Sequence, residues 1–556
     1  MTNKKFGMRE GLPHIRHTHS AALQYTTTLV LEMVNTMAHH LVLWLLTIAM
    51  VSITVEGTMA NVKRWCIKTP HPESCTQLMG QSPSPKSKAN LHHMVVKAAM
   101  DRALQAQADN LKHSKSCTNK LERVAWSDCF ELYKATIVHL NRTLRSPTRT
   151  ELDTQTWLSA SLTNLETCTN GFIDLDVQAQ IPAKLAKNVS QLICNALAIN
   201  KPPSSNGPKT RLNGRFLHDR FPGWVSVGDQ RFLQAKTLAS QANLKVAADG
   251  SGNYKTIREA LRVASNQISG TQRFIIHVKA GVYNENVQIT NSMKNLMFVG
   301  DGKGNTIITA SRSVRGGSTT FSSATFAVSG DRFMARDMTF RNTAGPENHQ
   351  AVALRVSSDF AAFYRCSIDG YQDTLHADTL RQFYRECDIY GTVDFIFGNA
   401  IAVFQNCNIF VRRPMSQQKN TITAQGRSDP NQNTGISIHN SRISAAPDLS
   451  PVQGSFATYL GRPWQKHART IFLKCFLDDL INPAGWLEWS ENFALSTLYY
   501  GEYRNTGPGS NTGKRVKWNG YHFITSPSEA SKFSVGSFLD GGSWIPATGV
   551  PFTLDL

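Results

Sequence analysis

Short segments of similar sequence recur in the carboxyl-terminal half of the chain, and they constrain its fold more than any other feature. Cys366, Cys387 and Cys407 mark three of them, at spacings of 21 and 20 residues. Repeats of this length, each adding one strand to a stack, are typical of a parallel β-helix. A β-sandwich with accidental internal similarity is the alternative. The segments are FYRCSIDG at Phe363, FYRECDIYG at Phe383 and VFQNCNIF at Val403, with looser copies at Ser437 and Ile471.

In such a stack, equivalent residues on adjacent coils lie roughly 4.8 Å apart. Asp373 follows Cys366 by seven residues and Asp394 follows Cys387 by seven, so the two carboxylates should be neighbours. Two carboxylates at this distance do not both ionise easily, which favours one acid and one base or nucleophile. Turn capping is the alternative role for either aspartate. The surrounding glycines and aromatic residues favour a sugar-binding cleft.

The stacking also brings cysteines within reach of each other. Cys387 would lie within disulfide distance of both Cys366 and Cys407, and only one of the two bonds could form. The repeat alone does not choose between them.

The amino-terminal half has a different pattern. Between Cys66 and Asn200, apolar residues recur every three or four positions, which predicts a helical bundle. Cys66 and Cys75 are close enough to close a terminal hairpin, and Cys129 and Cys168 could join two helices, although sequence alone does not determine the pairing. We therefore expect a leader over residues 1–60, a helical domain over 61–200, a Pro- and Ser-rich linker over 201–242 and a β domain over 243–556.

An apolar segment over residues 41–55 has the length of a signal-peptide core, which predicts export with cleavage after Ala60. A retained signal anchor, or translation from a later methionine such as Met37, is the alternative. Ten cysteines suit an exported protein with some disulfides. Two sequons predict glycosylation at Asn141 and Asn188.

The formal net charge of +19 favours a polyanionic partner. Aromatic residues do not alternate with the basic runs and no phosphate-binding glycine loop is present, so an acidic polysaccharide fits better than nucleic acid. We find no G-x-S-x-G elbow of a serine esterase and no H-x-x-E-H motif. We expect neither a metal nor a cofactor.

Five ordered blocks resemble the signature segments of plant pectin methylesterases: GVYNE at Gly281, QAVAL at Gln350, GYQDTL at Gly370, DFIFG at Asp394 and LGRPW at Leu460. The region from Cys66 to Asn200 resembles the pectin methylesterase inhibitor domain that precedes many of these enzymes. The resemblance implies an all-β, right-handed parallel β-helix preceded by an all-α four-helix bundle. It implies a secreted carboxylic ester hydrolase that acts on methyl-esterified homogalacturonan in the plant cell wall. We expect the protein to be a monomer.

The resemblance also implies the catalytic roles. Asp394 would be the nucleophile that forms an acyl-enzyme, and Asp373 the general acid and base. The amide groups of Gln372 and Gln350 would stabilise the oxyanion. Arg462 would orient Asp394 as a bidentate partner and contact substrate.

Further positions are carried over as substrate contacts. They are Thr320, Gln350, Arg462 and Trp464, with Tyr371 and Phe397 as additional aromatic candidates. Ser318 stands where an aromatic residue is commoner in the family, which puts that subsite in doubt.

The family pairing maps to Cys66–Cys75 and Cys129–Cys168, and we favour Cys387–Cys407 over Cys366–Cys387 in the β domain. A processing protease would act in the linker, where only a degenerate Arg-containing segment, Gly214–Leu217, is present. The helical domain would contact the β domain and inhibit it, and the alternatives are that it inhibits another enzyme or acts mainly in export. Two alternatives remain: a catalytically silent pectin-binding or inhibitor protein, and a polygalacturonase-like glycosidase, which would leave Gln350, Gln372 and Arg462 without a role.

Overall fold

The computed structural model describes residues 18–79, 85, 87–177, 183–200, 238–268 and 270–556. It divides into two compact units, the first Met1–Lys68 with Thr76–Pro85 and the second Thr69–Cys75 with Lys86–Leu556. Most of the predicted linker, including Gly214–Leu217, lies outside the described residues.

The first unit contains one long helix, α1 (Thr18–Cys66). Its segment Thr26–Met50 is long and apolar enough to cross a membrane, and none of it is buried. This apolar stretch begins earlier than the predicted 41–55 because Leu29, Val30 and Met33 extend the exposed apolar surface toward the amino terminus. Such a helix near the amino terminus is consistent with a signal sequence.

In the second unit, four long helices pack into an antiparallel bundle, and a disulfide joins two of them. Asn119 caps the amino terminus of α4, because its side-chain oxygen accepts from the N–H groups of Leu121 and Glu122. Thr150 and Asp153 form a capping box at the start of α5. The four long helices are α3 (Lys88–Ser116), α4 (Lys120–Arg145), α5 (Glu151–Asp174) and α6 (Ala183–Asn200), and the short helix α2 (Pro72–Met79) precedes them in the chain.

Cys129 of α4 and Cys168 of α5 form a disulfide, the pair that the resemblance implied. Cys66 and Cys75 are both disulfide-bonded as well. Cys117 and Cys194 are free.

The Cys129–Cys168 bond closes a loop of 39 residues. We expect the double replacement Cys129→Ala with Cys168→Ala to lower the free energy of unfolding of the bundle by roughly 4 kcal/mol, because the open loop regains conformational entropy when it unfolds. Urea unfolding followed by helical circular dichroism checks this. Cys117→Ala is the matched control, and equal unfolding midpoints for both variants would contradict the expectation.

The remainder of the second unit is a parallel β-helix of three sheets, in which every described strand pair is parallel. The 11-stranded sheet contains, in order, β1 (Leu244–Val246), β2 (Phe274–Val278), β5 (Leu296–Gly300), β8 (Met334–Arg336), β11 (Ala361–Tyr364), β14 (Arg381–Arg385), β17 (Ile401–Gln405), β20 (Gly435–His439), β23 (Arg469–Leu473), β25 (Tyr499–Tyr503) and β26 (Tyr521–Phe523).

The seven-stranded sheet carries the candidate site. Its order is β22 (Thr458–Gly461), β19 (Asn420–Gln425), β16 (Ile396–Gly398), β13 (Leu375–Ala377), β10 (Leu354–Val356), β7 (Phe326–Val328) and β4 (Val287–Ile289). The eight-stranded sheet consists of β24 (Phe476–Leu477), β21 (Arg442–Ala445), β18 (Asn408–Val411), β15 (Asp388–Gly391), β12 (Ser367–Asp369), β9 (Thr339–Asn342), β6 (Thr306–Ala310) and β3 (Gly281–Asn284).

Short helices complete this part of the chain. Thr256 caps α7 through a capping box with Glu259. The α-helices are α7 (Ile257–Gln267), α8 (Pro527–Ala530) and α9 (Val535–Leu539), and the 3₁₀ helices are Leu238–Gln241, Pro346–Asn348, Ser450–Ser455, Pro508–Ser510, Ser531–Phe533, Gly541–Ser543 and Ile545–Thr548.

The repeat found in the sequence is the stacked interior of the β-helix. Phe363, Tyr384 and Phe404 occupy equivalent positions, and their rings stack with centroid separations of 5.0 and 4.5 Å. All buried residues of this main core cluster lie between Leu244 and Tyr500. The β-helix therefore has a hydrophobic core of its own, independent of the bundle.

The cysteines in the repeat do not form disulfides, so the predicted Cys387–Cys407 bond is wrong and so is its alternative, Cys366–Cys387. All three are buried free thiols. The Cys387 sulfur lies 3.5 Å from the carbonyl oxygen of Phe363, and the Cys407 sulfur lies 3.6 Å from that of Tyr384. Each thiol donates to a backbone carbonyl instead of bonding to the sulfur of the next coil.

Candidate active site

Asp373 and Asp394 stand immediately before two adjacent strands of the seven-stranded sheet. The pairing of Leu375 with Ile396 places the two aspartates at the same position on successive coils. Both have left-handed backbones, with φ values of 61° and 51°, a conformation that aspartate tolerates better than most residues. The Asp373 N–H donates to the carbonyl oxygen of Val393 at 3.0 Å, which ties the two turns together.

A glycine three residues before each aspartate permits these turns. A Cβ on Gly391 would lie 2.2 Å from the Cβ of Phe395, and a Cβ on Gly370 would lie 2.8 Å from the Thr374 hydroxyl oxygen. The chain curls back so tightly at both places that only glycine fits. The glycines that flank the aspartates in the sequence therefore set the turn geometry.

Asp394 is held from two sides. Arg462 donates to both of its carboxylate oxygens, from Nε at 2.8 Å and from Nη2 at 2.6 Å. The Thr421 hydroxyl donates to Oδ1 at 2.6 Å and accepts from the Asp394 N–H at 2.9 Å. A bidentate guanidinium pair with a further hydrogen bond fixes a carboxylate in its ionised form and in one orientation.

Arg462 itself is positioned by the segment that follows β22. Gly461 lets the strand approach its neighbour, since a Cβ there would lie 2.1 Å from the Thr423 hydroxyl. The guanidinium carbon of Arg462 lies 4.3 Å from the ring centroid of Trp489. Burial lowers the pKa of Arg462, but the adjacent Asp394 carboxylate outweighs burial and the pKa is raised. Arg462 therefore keeps its charge.

Asp373 has the opposite character. Burial is the largest cause that raises its pKa well above the usual value, and the negative charges of Asp394 and Asp174 act in the same direction, whereas Arg462 opposes them. No hydrogen bond to its carboxylate is present among the described residues. The pair thus consists of a buried carboxyl group with a raised pKa next to a carboxylate that Arg462 holds from both oxygens.

The two predicted oxyanion donors lie beside this pair. Gln372 immediately precedes Asp373, and its buried side-chain oxygen has no hydrogen-bond partner in the described part of the chain. The backbone carbonyl of Gln372 accepts from the N–H of Ala351 at 3.2 Å, which joins the Gln350 and Gln372 coils. Gln350 also lines a cavity of about 540 Å³ together with Asp174.

The predicted substrate contacts lie in three places. Phe397 packs edge-on against Trp464, with ring centroids 5.9 Å apart, and both lie on the outer side of the seven-stranded sheet. Tyr371 is braced by Arg412, which donates to its hydroxyl at 2.6 Å. Thr320 lies at the bundle, where its N–H donates to the Asp174 carboxylate at 2.8 Å.

Sequence reasoning missed Thr421, Trp489 and Asp174. Thr421 occupies the position after Asp394 in the stack, because Ile396 pairs with Thr423. The spacing of 27 residues hid this equivalence from a search for 20- or 21-residue repeats. For Asp174, on the last turn of α5, no local signal exists.

Asn141 lies within α4 and Asn188 within α6, both half-buried, and their glycosylation stays a prediction. Among the described residues, no group of three or more His, Cys, Asp or Glu side chains could hold a metal ion.

Comparisons with known proteins agree with the geometry. The pectinesterase family model matches residues 243–542, and the plant invertase/pectin methylesterase inhibitor model matches residues 60–199. Pectinesterase 2 of Citrus sinensis is 54% identical over 521 residues, which cover 92% of this chain and 99% of that protein. The probable pectinesterase/pectinesterase inhibitor 17 of Arabidopsis thaliana is 53% identical over 512 residues, 91% of this chain and 97% of that protein.

Among solved structures, the pectin methylesterase from carrot is 58% identical, with a TM-score of 0.55. The match covers 57% of this chain and 98% of that one, so that structure lacks a counterpart of the remaining part of this chain. Together with the paired aspartates on a parallel β-helix, these similarities establish that the chain belongs to the pectinesterase family, with a pectin methylesterase inhibitor domain before its β-helix.

Proposed function

We propose that this protein hydrolyses the methyl esters of pectin, methyl-esterified homogalacturonan, to give pectate and methanol. The observation that carries the proposal is the bidentate pair of Arg462 with Asp394 next to Asp373, whose pKa is raised. This arrangement supplies an ionised nucleophile and a proton donor at the same pH.

In the first half of the reaction, an Asp394 oxygen attacks the ester carbonyl carbon of a galacturonate unit. The side-chain N–H groups of Gln372 and Gln350 donate to the oxyanion of the tetrahedral intermediate. Asp373 gives its proton to the departing methoxide oxygen, which leaves as methanol, and an anhydride joins Asp394 to the sugar.

In the second half, Asp373 is ionised and takes a proton from a water molecule. The resulting hydroxide attacks the sugar acyl carbon of the anhydride, the bond to Asp394 breaks, and the galacturonic acid group that forms gives its proton to solvent and leaves as the carboxylate. Asp373 is again protonated and Asp394 again ionised, so both residues return to their starting states.

The test is methanol release from highly methylated pectin by residues 243–556, a fragment whose core is self-contained. We expect methanol without new reducing ends. New reducing ends would instead support a glycosidase, and neither product would support a catalytically silent pectin-binding protein.

We further propose a leader over 1–60, an inhibitor domain over 61–200, a linker over 201–242 that a protease cuts, and a catalytic domain over 243–556. The apolar helix near the amino terminus supports export to the plant cell wall. The net charge of +19 supports retention on an acidic polysaccharide.

The bundle is the proposed inhibitor of this chain's own β-helix. Its helix α5 crosses several coils beside the site. Along α5, Asp153 pairs with Arg381 at 2.8 Å and Thr163 accepts from Asn399 at 2.7 Å, before Asp174 reaches Thr320. These contacts support a bundle that covers the surface a pectin chain would need.

Glu166 of α5 makes this contact sensitive to pH. Burial raises its pKa from 4.5 to about 7, the nearby Asp429 adds to this, and a hydrogen bond with Ser428 opposes it; Cys194 faces the same pocket. In the released bundle the carboxyl ionises near its ordinary value. The docked state alone then holds a proton between pH 4.5 and about 7, so docking weakens as pH rises through that window, by up to roughly tenfold per pH unit.

The measurement is the ratio of methanol release by the intact chain to that by residues 243–556, between pH 4 and 8. Glu166→Gln should flatten the dependence between about pH 6 and 7. Below about pH 6, Asp128 still makes docking weaken as pH rises, because burial raises the pKa of its carboxyl group to about 6. A ratio that falls with rising pH would contradict the assignment.

A further inference from the structure

A row of side chains lies along the outer side of the seven-stranded sheet, next to the row that holds the aspartates. Strand register places Arg355, His376 and Phe397 at equivalent positions on three successive coils. Leu354 and Val356, on either side of Arg355, belong to the main core. Because side chains alternate along a strand, the Arg355 side chain points out of the β-helix. Its own coil is the one before the coil of Asp373.

Arg355 is a buried cation with unused hydrogen-bonding capacity. It is 3% exposed, and its Nε has no partner in the described part of the chain. Its Nη1 donates to the Ser357 hydroxyl at 3.2 Å, and its guanidinium carbon lies 3.4 Å from the ring centroid of Phe321. A buried guanidinium with a free donor is costly unless an anion completes its coordination.

The bundle supplies a carboxylate at this place. Asp128 of α4 accepts a hydrogen bond from the Thr319 hydroxyl and is also hydrogen-bonded to Ser322, and both residues lie within two positions of Phe321 in the sequence. Burial lowers the pKa of Arg355, and the charges of Asp378 and Asp128 oppose that effect. Asp128 therefore interacts with both the hydroxyls and the cation of one pocket.

We propose that Arg355, Thr319 and Ser322 form a subsite for the free carboxylate of an already demethylated galacturonate unit, and that Asp128 occupies this subsite in the intact chain. The inference rests on the proposed function and extends it. The polymer carries neutral methyl esters before reaction and carboxylates after it, and a desolvated guanidinium discriminates strongly between the two.

This subsite makes the enzyme prefer methyl esters that lie near units it has already demethylated. A chain that lies along the β-helix axis, with a methyl ester at Asp394, places another unit over Arg355. If that unit is ionised it gains a charge-assisted hydrogen bond, whereas a methyl ester gains none. Demethylation then extends from units that have already reacted.

The test compares two substrates for residues 243–556: fully methylated oligogalacturonide and the same oligomer with about half its esters removed. Arg355→Gln should lower kcat/KM on the partly demethylated oligomer by about 10- to 100-fold. On the fully methylated oligomer it should change kcat/KM by less than about twofold. Arg355→Lys, which keeps the charge, should recover part of the loss, and the surface variant Arg442→Gln should match the parent on both.

An equal loss on both substrates, with no recovery by lysine, would overturn the subsite and make Arg355 a structural residue. Failure of the parent fragment to release methanol from either oligomer would overturn the proposed function instead. Should Arg355→Gln not fold, the same substrate comparison with Arg355→Lys decides, because it retains the charge and loses only the planar fork.

A second experiment uses the intact chain and the fully methylated oligomer to test whether Asp128 occupies the subsite. Asp128→Asn and Arg355→Gln should each raise methanol release, and the double variant should exceed the larger single effect by no more than about twofold, since both remove one interaction. Effects that multiply independently would show that Asp128 does not occupy the Arg355 pocket.

Discussion

Asp394→Asn in residues 243–556 is expected to lower kcat for methanol release by at least about a thousandfold, because an amide replaces the attacking carboxylate. The amide keeps nearly the same shape, so the Thr421 contact and the fold should survive. Methanol release from highly methylated pectin under saturating substrate measures the effect.

Asp388→Asn is the matched control. Asp388 lies on the same coil but on the eight-stranded sheet, where it pairs with Lys303 at 2.6 Å. Its replacement should leave kcat within about twofold of the parent. An Asp394→Asn variant that kept more than a tenth of the parent kcat would show that Asp394 is not the nucleophile.

The intact chain is expected to release methanol at least about 100-fold more slowly than residues 243–556, because a tethered inhibitor acts at a high effective concentration. Asp174→Ala should recover much of the lost rate, since it frees the Thr320 N–H and removes a charge that acts on Asp373. Initial rates of the two proteins on the same pectin give the ratio.

Asp101→Ala serves as control, because Asp101 is an exposed residue of α3 that pairs with Lys97 on the same helix. It should not change the ratio. Equal rates for the intact chain and the fragment at pH 4, the low end of the measured range, where docking is strongest, would refute inhibition by the bundle.

Much of the catalytic arrangement was readable from the chain. The repeat placed Asp373 and Asp394 on adjacent coils, and the blocks around Gln372 and Arg462 indicated their partners. Such predictions succeed in a solenoid because each coil repeats the last, so a position in the sequence translates directly into a position in space. Thr421 escaped because the connection before β19 lengthens this coil, so that Thr421 follows Asp394 by 27 residues instead of 20 or 21.

The disulfide prediction failed for a related reason. Stacking brings Cys387 and Cys407 into hydrogen-bonding contact, but contact between two thiols does not by itself make a covalent bond. In the structure the thiols donate to carbonyl oxygens inside the core. Residue spacing therefore predicted which cysteines are neighbours, but not whether a covalent bond joins them.

By itself the sequence determined the β-helix, the helical bundle and the acidic pair, because these depend on periodicity and on local turns formed by residues such as Gly370 and Gly391. Only the tertiary structure decided what the bundle does to the cleft. Asp128, Glu166 and Asp174 are ordinary acidic residues of helices until packing buries them against the coils, and burial is what raises their pKa values and directs them at Thr319, Ser428 and Thr320. Desolvation and charge pairing between segments more than a hundred residues apart arise from packing, and a single sequence does not encode them locally.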